Sequence, residues 1–206
     1  MGPIYRRAAI PCSVRAIPKV RLPRLVANRR HRMACRDVQG DRYALDPAVP
    51  IANVPAMRSA GILLWRRREG GVEVLLGHFG GPFWARRDAG AWAIPKGLIL
   101  PGERAEDAAR REFMEEIGTS LEGPLRPLGS IRQKGGKWVE AFAAEGDLDA
   151  DGIVSNLATV EWPPRSGRHL SFPEIDRAAW FTLSDARTMI LPSQVSIIDL
   201  FEASIG

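Results

Sequence analysis

Cysteine is nearly absent. The 206 residues hold two, Cys12 and Cys35, both ahead of residue 57. The remainder therefore has no disulfide framework and no thiolate-ligated zinc site, which fits a reducing, cytoplasmic setting. No run comes near the ~18 consecutive apolar residues of a membrane-spanning helix, so no membrane partner is expected. Histidine is scarce too: His31, His78 and His169 have no catalytic spacing around them, and no Ser/His/Asp arrangement can be built. No internal repeat is visible. What is present is ordinary for a soluble globular chain, with 45% hydrophobic and 26% charged residues and length enough for one domain with a real core.

Acidic residues are missing before Asp37, and this locates the net charge of +5. Residues 1–56 carry eleven Lys/Arg against three Asp, a net +8, whereas residues 57–206 carry 18 Lys/Arg against 21 Asp/Glu, a net −3. Nucleic-acid binding is thus not expected except through the first segment. Pro3, Pro11, Pro18 and Pro23 interrupt that segment, and its apolar residues keep no period, so it reads as a basic, disordered extension. Charges at Arg6, Arg7, Arg15, Lys19, Arg21 and Arg24 deny it the core of a secretory signal. Its single serine, Ser13, argues against an organelle transit peptide. A basic tail and a reading frame begun too early are the other readings, since Met57 stands just ahead of SAGILLWRRR, a natural opening for a folded domain. Two parts are expected, an extension over 1–56 and a domain over 57–206.

Beyond residue 57 the pattern is regular. Residues 60–67 and 72–78 read as strands around a turn at 69–71. Residues 80–90 form a loop rich in Gly and Arg that carries Phe83 and Trp84, and residues 92–94 a short strand. Residues 128–132 and 138–144 are strands around a turn at 134–137. Asp147, Asp149 and Asp151 alternate but lack the Gly and Glu of a calcium loop, so 145–152 reads as a solvated loop. Residues 157–162 and 177–182 are further strands, separated by a loop over 163–172. Ser184 and Ser193 are expected to cap two closing helices. Strands on either side of a central helix, followed by helices, predict an α/β fold whose mixed sheet is covered on both faces.

The central helix lies in residues 97–119, GLILPGERAEDAARREFMEEIGT. Gly97, Pro101 and Gly102 mark a turn. From about Arg104, Ala109, Phe113 and Ile117 recur four apart and Gly118 supplies a stop, though no Ser, Thr or Asp stands ready to cap the start. Glu112, Glu115 and Glu116 fall at i, i+3 and i+4 and border that apolar stripe. Like charges so spaced cost roughly 0.2–0.5 kcal/mol, and carboxylates in the last turns oppose the helix dipole. A divalent cation would reverse both penalties, and carboxylate oxygens suit magnesium or manganese. The bland alternative is a solvated acidic face tied by Glu106–Arg110 and Asp107–Arg111 pairs.

The stretch resembles the Nudix box: glycine, five residues, Glu, seven residues, Arg-Glu, an apolar residue, any residue, Glu-Glu, any residue, glycine, an aliphatic residue. Gly97, Glu103, Arg111, Glu112, Phe113, Glu115, Glu116 and Gly118 all fall in register, while Thr119 replaces the aliphatic residue. At usages of roughly 5–8% each, seven fixed identities match one window by chance about once in 10⁸. The resemblance implies a Nudix-type α/β/α sandwich and a divalent-metal-dependent hydrolase. Its bond is the phosphoanhydride of a nucleoside diphosphate linked to another moiety. It implies Mg²⁺ (or Mn²⁺) held by Glu112, Glu115, Glu116 and the Gly97 carbonyl, with Glu103 at the metal or anchoring the turn and Arg111 orienting the carboxylates. The proton acceptor is a box glutamate or an acid from a later loop, for which Glu174 leads, with Glu140 and Glu161 behind it. Trp84, Trp92 and Trp138 offer rings for a base, although an aromatic near a strand serves equally in a core. Lys96, Lys137, Arg132, Arg165 and Arg168 offer cations for phosphates. The run WAIPKG is similar to that of enzymes acting on nucleoside triphosphates and dinucleoside polyphosphates, so a small nucleotide is the expected substrate. An RNA 5′-end pyrophosphohydrolase and a nucleotide-sensing module without catalysis stay open.

Overall fold

A computed structural model describes residues 58–133 and 136–206, with the strand backbones Ala34–Arg36 and Arg42–Ala44. The chain divides into two units, Met1–Val54 and Pro55–Gly206. In the first, β1 (Ala34–Arg36) pairs antiparallel with β2 (Arg42–Ala44), a pairing the sequence pattern did not suggest. The expectations of a disordered extension, basic tail or early start concern residues otherwise outside the described ones.

The second unit is built on a seven-stranded mixed sheet. β3 (Arg58–Arg68) and β4 (Gly71–Phe79) form the expected hairpin. β5 (Trp92–Ala93) lies on β4, and β6 (Lys96–Leu98) lies antiparallel on β3. Helix α1 (Ala105–Ile117) follows. β7 (Arg126–Arg132) and β8 (Trp138–Glu145) pair antiparallel, and β8 runs parallel to β3. β9 (Leu157–Glu161) and β10 (His169–Pro173) make a separate hairpin. β11 (Ile175–Thr182) then joins the edge of β4, giving the order β11-β4-β3-β8-β7. Helices α2 (Leu183–Met189) and α3 (Val195–Ile205) close the chain. Among the described residues, no helix is long and apolar enough to cross a membrane.

Strand alternation sends β3 side chains to both faces. Ile62 and Leu64 pack with Phe113 and Ile117 of α1, while Leu63 and Trp65 pack with Ile197, Ile198 and Phe201 of α3. A strand covered twice reads as a continuous apolar run, as GILLW does here. The α1–sheet–α2/α3 layering is the sandwich that the resemblance implied.

Several local expectations are corrected. β10 occupies residues read as loop; its alternation from His169 to Phe172 is only four residues long and runs into Pro173, and its backbone ladder to β9 and the Thr159–Ser171 hydroxyl contact at 2.8 Å hold it as a strand. β6 lies within residues read as the turn, because β3 leaves an edge that pairs it. The cap of α2 is Thr182, whose hydroxyl accepts from the Asp185 N–H at 3.2 Å, in place of Ser184. Ser193 does not cap α3; its hydroxyl accepts from Gln133 Nε2 at 3.2 Å.

Candidate functional site

α1 begins after Arg104, whose backbone is extended and whose side chain makes no capping hydrogen bond, as its sequence suggested. It ends at Gly118, left-handed at φ 83°, where a Cβ would also fall 2.8 Å from the Val154 carbonyl. Glycine is therefore required there both by torsion and by space. Between these ends Ala109, Phe113 and Ile117 are buried, and Glu116 is carried down with them to 9% exposure.

Glu116 Oε2 accepts a hydrogen bond from the Lys96 backbone N–H at 2.9 Å. Burial pushes its pKa up to about 7; the like charges of Glu174 and Glu112 add to this, and the Lys96 charge and N–H oppose it. Glu112 packs directly on Gly97: a Cβ at residue 97 would lie 1.9 Å from the Glu112 carboxyl carbon. This glycine is demanded by close approach, a cradle that any side chain would fill.

Arg111 is the hub beneath these acids. Its Nε and Nη2 donate to the two Glu103 carboxylate oxygens at 2.8 and 2.9 Å, and Nη2 also donates to the Leu98 carbonyl at 2.9 Å. Nη1 donates to Glu112 at 2.6 Å and stands 3.6 Å from Glu115. The Leu100 N–H completes Glu103 at 2.8 Å. The Arg111 guanidinium holds the Glu103 carboxyl below the usual carboxylate range, and these partners raise Arg111 in turn. The expected Asp107–Arg111 pair is not formed, because the turn folds Glu103 back onto the guanidinium; Glu106–Arg110 does form, at 3.3 Å.

Glu174, between β10 and β11, faces the same acids from another part of the chain. It keeps accessible surface at the rim, yet the cleft walls around its carboxylate, then the charges of Glu112 and Glu115, raise its pKa. Lys137 stands close enough to feel Lys96, Glu112 and Glu116, and burial followed by the Lys96 charge lowers its pKa. Six of the sequence candidates, Lys96, Glu112, Glu115, Glu116, Lys137 and Glu174, thus share one electrostatic neighbourhood. The other acids considered for the base are engaged elsewhere: Glu140 pairs with Arg58, and Glu161 accepts from the Gly167 N–H at 2.8 Å.

Trp92 is a correction. It is 3% exposed, donates Nε1–H to Asp88 at 3.0 Å and packs edge-on against His78 and Phe181, so it is a core residue with no face for a ligand. Trp138, 38% exposed at the start of β8, keeps an accessible ring. Arg165 lies in the β9–β10 loop with φ 64°, and among the described residues it makes no side-chain hydrogen bond or ion pair. Sequence reasoning missed Phe79, whose ring centroid lies 5.6 Å from Lys96 Nζ, and the Gly80 N–H that donates to the Glu174 carbonyl at 3.0 Å. The glycine pair after β4 was the available signal for that close approach.

Among the described residues no three acidic, histidine or cysteine side chains already converge as a metal cage. The donor chemistry nonetheless suits a hard divalent cation. It is all oxygen and carries surplus negative charge, and burial makes Glu116 reluctant to ionise without a cation beside it.

The sequence model of the NUDIX domain matches residues 55–201. RNA pyrophosphohydrolase of Legionella pneumophila (strain Corby) is 44% identical over 52 residues, 25% of this chain and 29% of that protein. Mitochondrial ADP-ribose pyrophosphatase of Rattus norvegicus is 41% identical over 49 residues, 24% of this chain and 14% of that protein. The matched stretch thus spans under a third of either relative. A C. elegans Ap4A hydrolase binary complex superposes with TM-score 0.51 at 23% identity, covering 71% of this chain and 97% of that one. The NUDIX domain of Shewanella oneidensis NrtR, complexed with ADP ribose, gives 0.55 at 16% identity, covering 79% and 94%. At these identities the two structures establish likeness of fold.

Proposed function

This chain belongs to the Nudix family, and from that premise we propose that it is a divalent-metal-dependent pyrophosphohydrolase. Its substrate is a nucleoside diphosphate linked to another moiety, a nucleoside triphosphate or a dinucleoside polyphosphate. The observation that carries this reading is the buried Glu116, held by the Lys96 N–H among Glu112, Glu174 and Lys137. Glu112, Glu115, Glu116 and the Gly97 carbonyl are the groups that would hold Mg²⁺ or Mn²⁺. When bound, such an ion neutralises phosphate charge and lowers the pKa of water. The chain does the rest. Glu103 and Arg111 fix the direction of Glu112. Lys96 and Lys137 bind phosphate oxygens, and Glu174 accepts the proton of the attacking water.

The test is a panel of nucleoside triphosphates, dinucleoside polyphosphates, nucleotide sugars and triphosphorylated RNA with magnesium, with released phosphate or pyrophosphate measured. Glu116→Gln is expected to abolish turnover. Glu174→Gln is expected to slow it roughly 10²–10⁴-fold while calorimetric Mg²⁺ binding persists. Full activity in Glu116→Gln would falsify the assignment. The RNA arm is included because the RNA pyrophosphohydrolase likeness, 44% over 52 residues, favours that substrate as a second reading.

A further inference from the structure

One buried titratable side chain stands outside the chemistry above. His78, on β4 and 1% exposed, has both ring nitrogens engaged. Nε2 lies 2.8 Å from the Arg87 carbonyl oxygen, and Nδ1 lies 2.7 Å from Asp176 Oδ1. A carbonyl only accepts, so Nε2 carries a hydrogen and donates it. Nδ1 then faces a carboxylate, which when ionised also only accepts, so a further proton lies between the two. Removing one side of such a contact leaves a buried polar atom unpaired. Trp92 closes over the ring edge-on with centroids 5.2 Å apart, and Arg177 Nε approaches Asp176 Oδ1 to 3.9 Å.

What the imidazole fastens is a bulge. Along the pairing of β11 with β4, Ile175 stands opposite Phe79 but Arg177 stands opposite His78, so Asp176 is the extra residue. The bulge shifts the phase of the strand. Ile175 and Ala178, three apart, both enter the core beneath α1, where strict alternation would send one of them to the other face. Gly77 makes room for Ile175, since a Cβ there would fall 2.5 Å from Ile175 Cδ1. Glu174 is the next residue out. Its N–H donates to the Asn156 carbonyl at 2.8 Å, and its carbonyl accepts from the Gly80 N–H. The Asn156 N–H donates in turn to the Glu115 carbonyl at 2.9 Å, so two hydrogen bonds connect Glu174 to the helix that carries the other acids.

We propose that His78 and Asp176 are positioning residues: they pin the bulge and so aim Glu174 at the cleft it shares with Glu112 and Glu115; this rests on the function proposed above. Their part is played through Glu174. The Arg87 contact fixes, with the same ring, the loop that begins at Gly80, the donor to the Glu174 carbonyl.

Asp176→Ala and Asp176→Asn test this in the full chain with magnesium, on the fastest substrate of the panel. Asparagine can donate its N–H to Nδ1 of a neutral ring while Nε2 still serves Arg87, so it keeps the fastening that alanine removes. Asp176→Ala is expected to lower kcat roughly 10- to 100-fold with KM within about 2-fold, the scale of a misplaced group, and Asp176→Asn to recover most of the rate. In a Glu174→Gln chain, Asp176→Ala should cost nothing further, because no base is left to aim. Full kcat in Asp176→Ala overturns the inference, as does a loss that multiplies with that of Glu174→Gln or one that Asp176→Asn shares. Full activity in Glu174→Gln also overturns it while leaving the hydrolase. Amide hydrogen exchange gives a readout apart from turnover. The Glu174 and Gly80 amides should exchange faster in Asp176→Ala, with Leu63 of β3 unchanged. Equal protection at all three, or loosening at all three, overturns the inference. A chain that hydrolyses nothing on the panel, yet loosens only at Glu174 and Gly80, sinks the proposed function and supports the fastening.

Discussion

Gly97 owes its identity to a neighbour, since the Glu112 carboxylate occupies the space where its side chain would be. Gly97→Ala must drive that carboxylate out of place, and misplacement of about 1 Å commonly costs on the order of 10²-fold in rate. Turnover in this variant is therefore expected to fall by about that factor with the far-ultraviolet circular dichroism unchanged. A fully active Gly97→Ala chain would mean that Glu112 works from another position. At this scale the acids were legible in the sequence because a helix fixes which residues are neighbours. The partner of Arg111 was not, since a turn between Leu98 and Glu103 decides it. Trp92 was misjudged because hydropathy records that a ring is apolar and says nothing of which face of a strand carries it.

α1 is an element left unfinished at one end and loaded at the other. Its start has an extended residue with no oxygen to offer the first N–H groups, while Glu115 and Glu116 sit in its last turns. Replacing Arg104 by Asp supplies both a cap and a charge that the dipole favours, and should raise stability by about 1 kcal/mol. Thermal or denaturant unfolding measures it. A Tm at or below that of the unaltered chain would count against the description of this terminus. Long elements could be read locally, β3 from its continuous apolar run and α1 from its period. The second strand of the β9–β10 hairpin escaped because it is short, exposed and ends on Pro173, and only the ladder to its partner reveals it.

For the molecule as a whole, the buried acid makes the metal-free fold sensitive to pH. The folded chain holds the Glu116 proton more tightly than the unfolded chain does, with a pKa near 7 against an ordinary carboxylate value. That contribution is fully present below the unfolded pKa and is lost as pH rises through about 7, a change on the order of 3 kcal/mol. Glu174 is shifted in the same direction and adds to the loss. Glu103 is shifted the other way, so its share is lost only as pH falls through its own depressed pKa. In chelator, Tm should therefore fall as pH rises from about 5 to 7.5, and Glu116→Gln should flatten much of the slope. Added magnesium should reverse the trend, because binding to the ionised site stabilises the folded state. An unaltered chain with a flat profile in chelator would contradict the buried, metal-poised acid. The layered α/β architecture was readable at this scale from element order, whereas the parallel pairing of β3 with β8 was not, because strand neighbours distant in sequence leave no local mark.

Glu116 leans on the main-chain N–H of residue 96, and any residue but proline supplies that donor. The hydrogen bond that seats the acid thus survives a change of side chain at 96, while the Lys96 charge, which favours the ionised acid, is the part that changes. Position 96 is a dial that evolution or a saturation library can turn to retune what the cleft admits, while the apparatus beneath stays assembled.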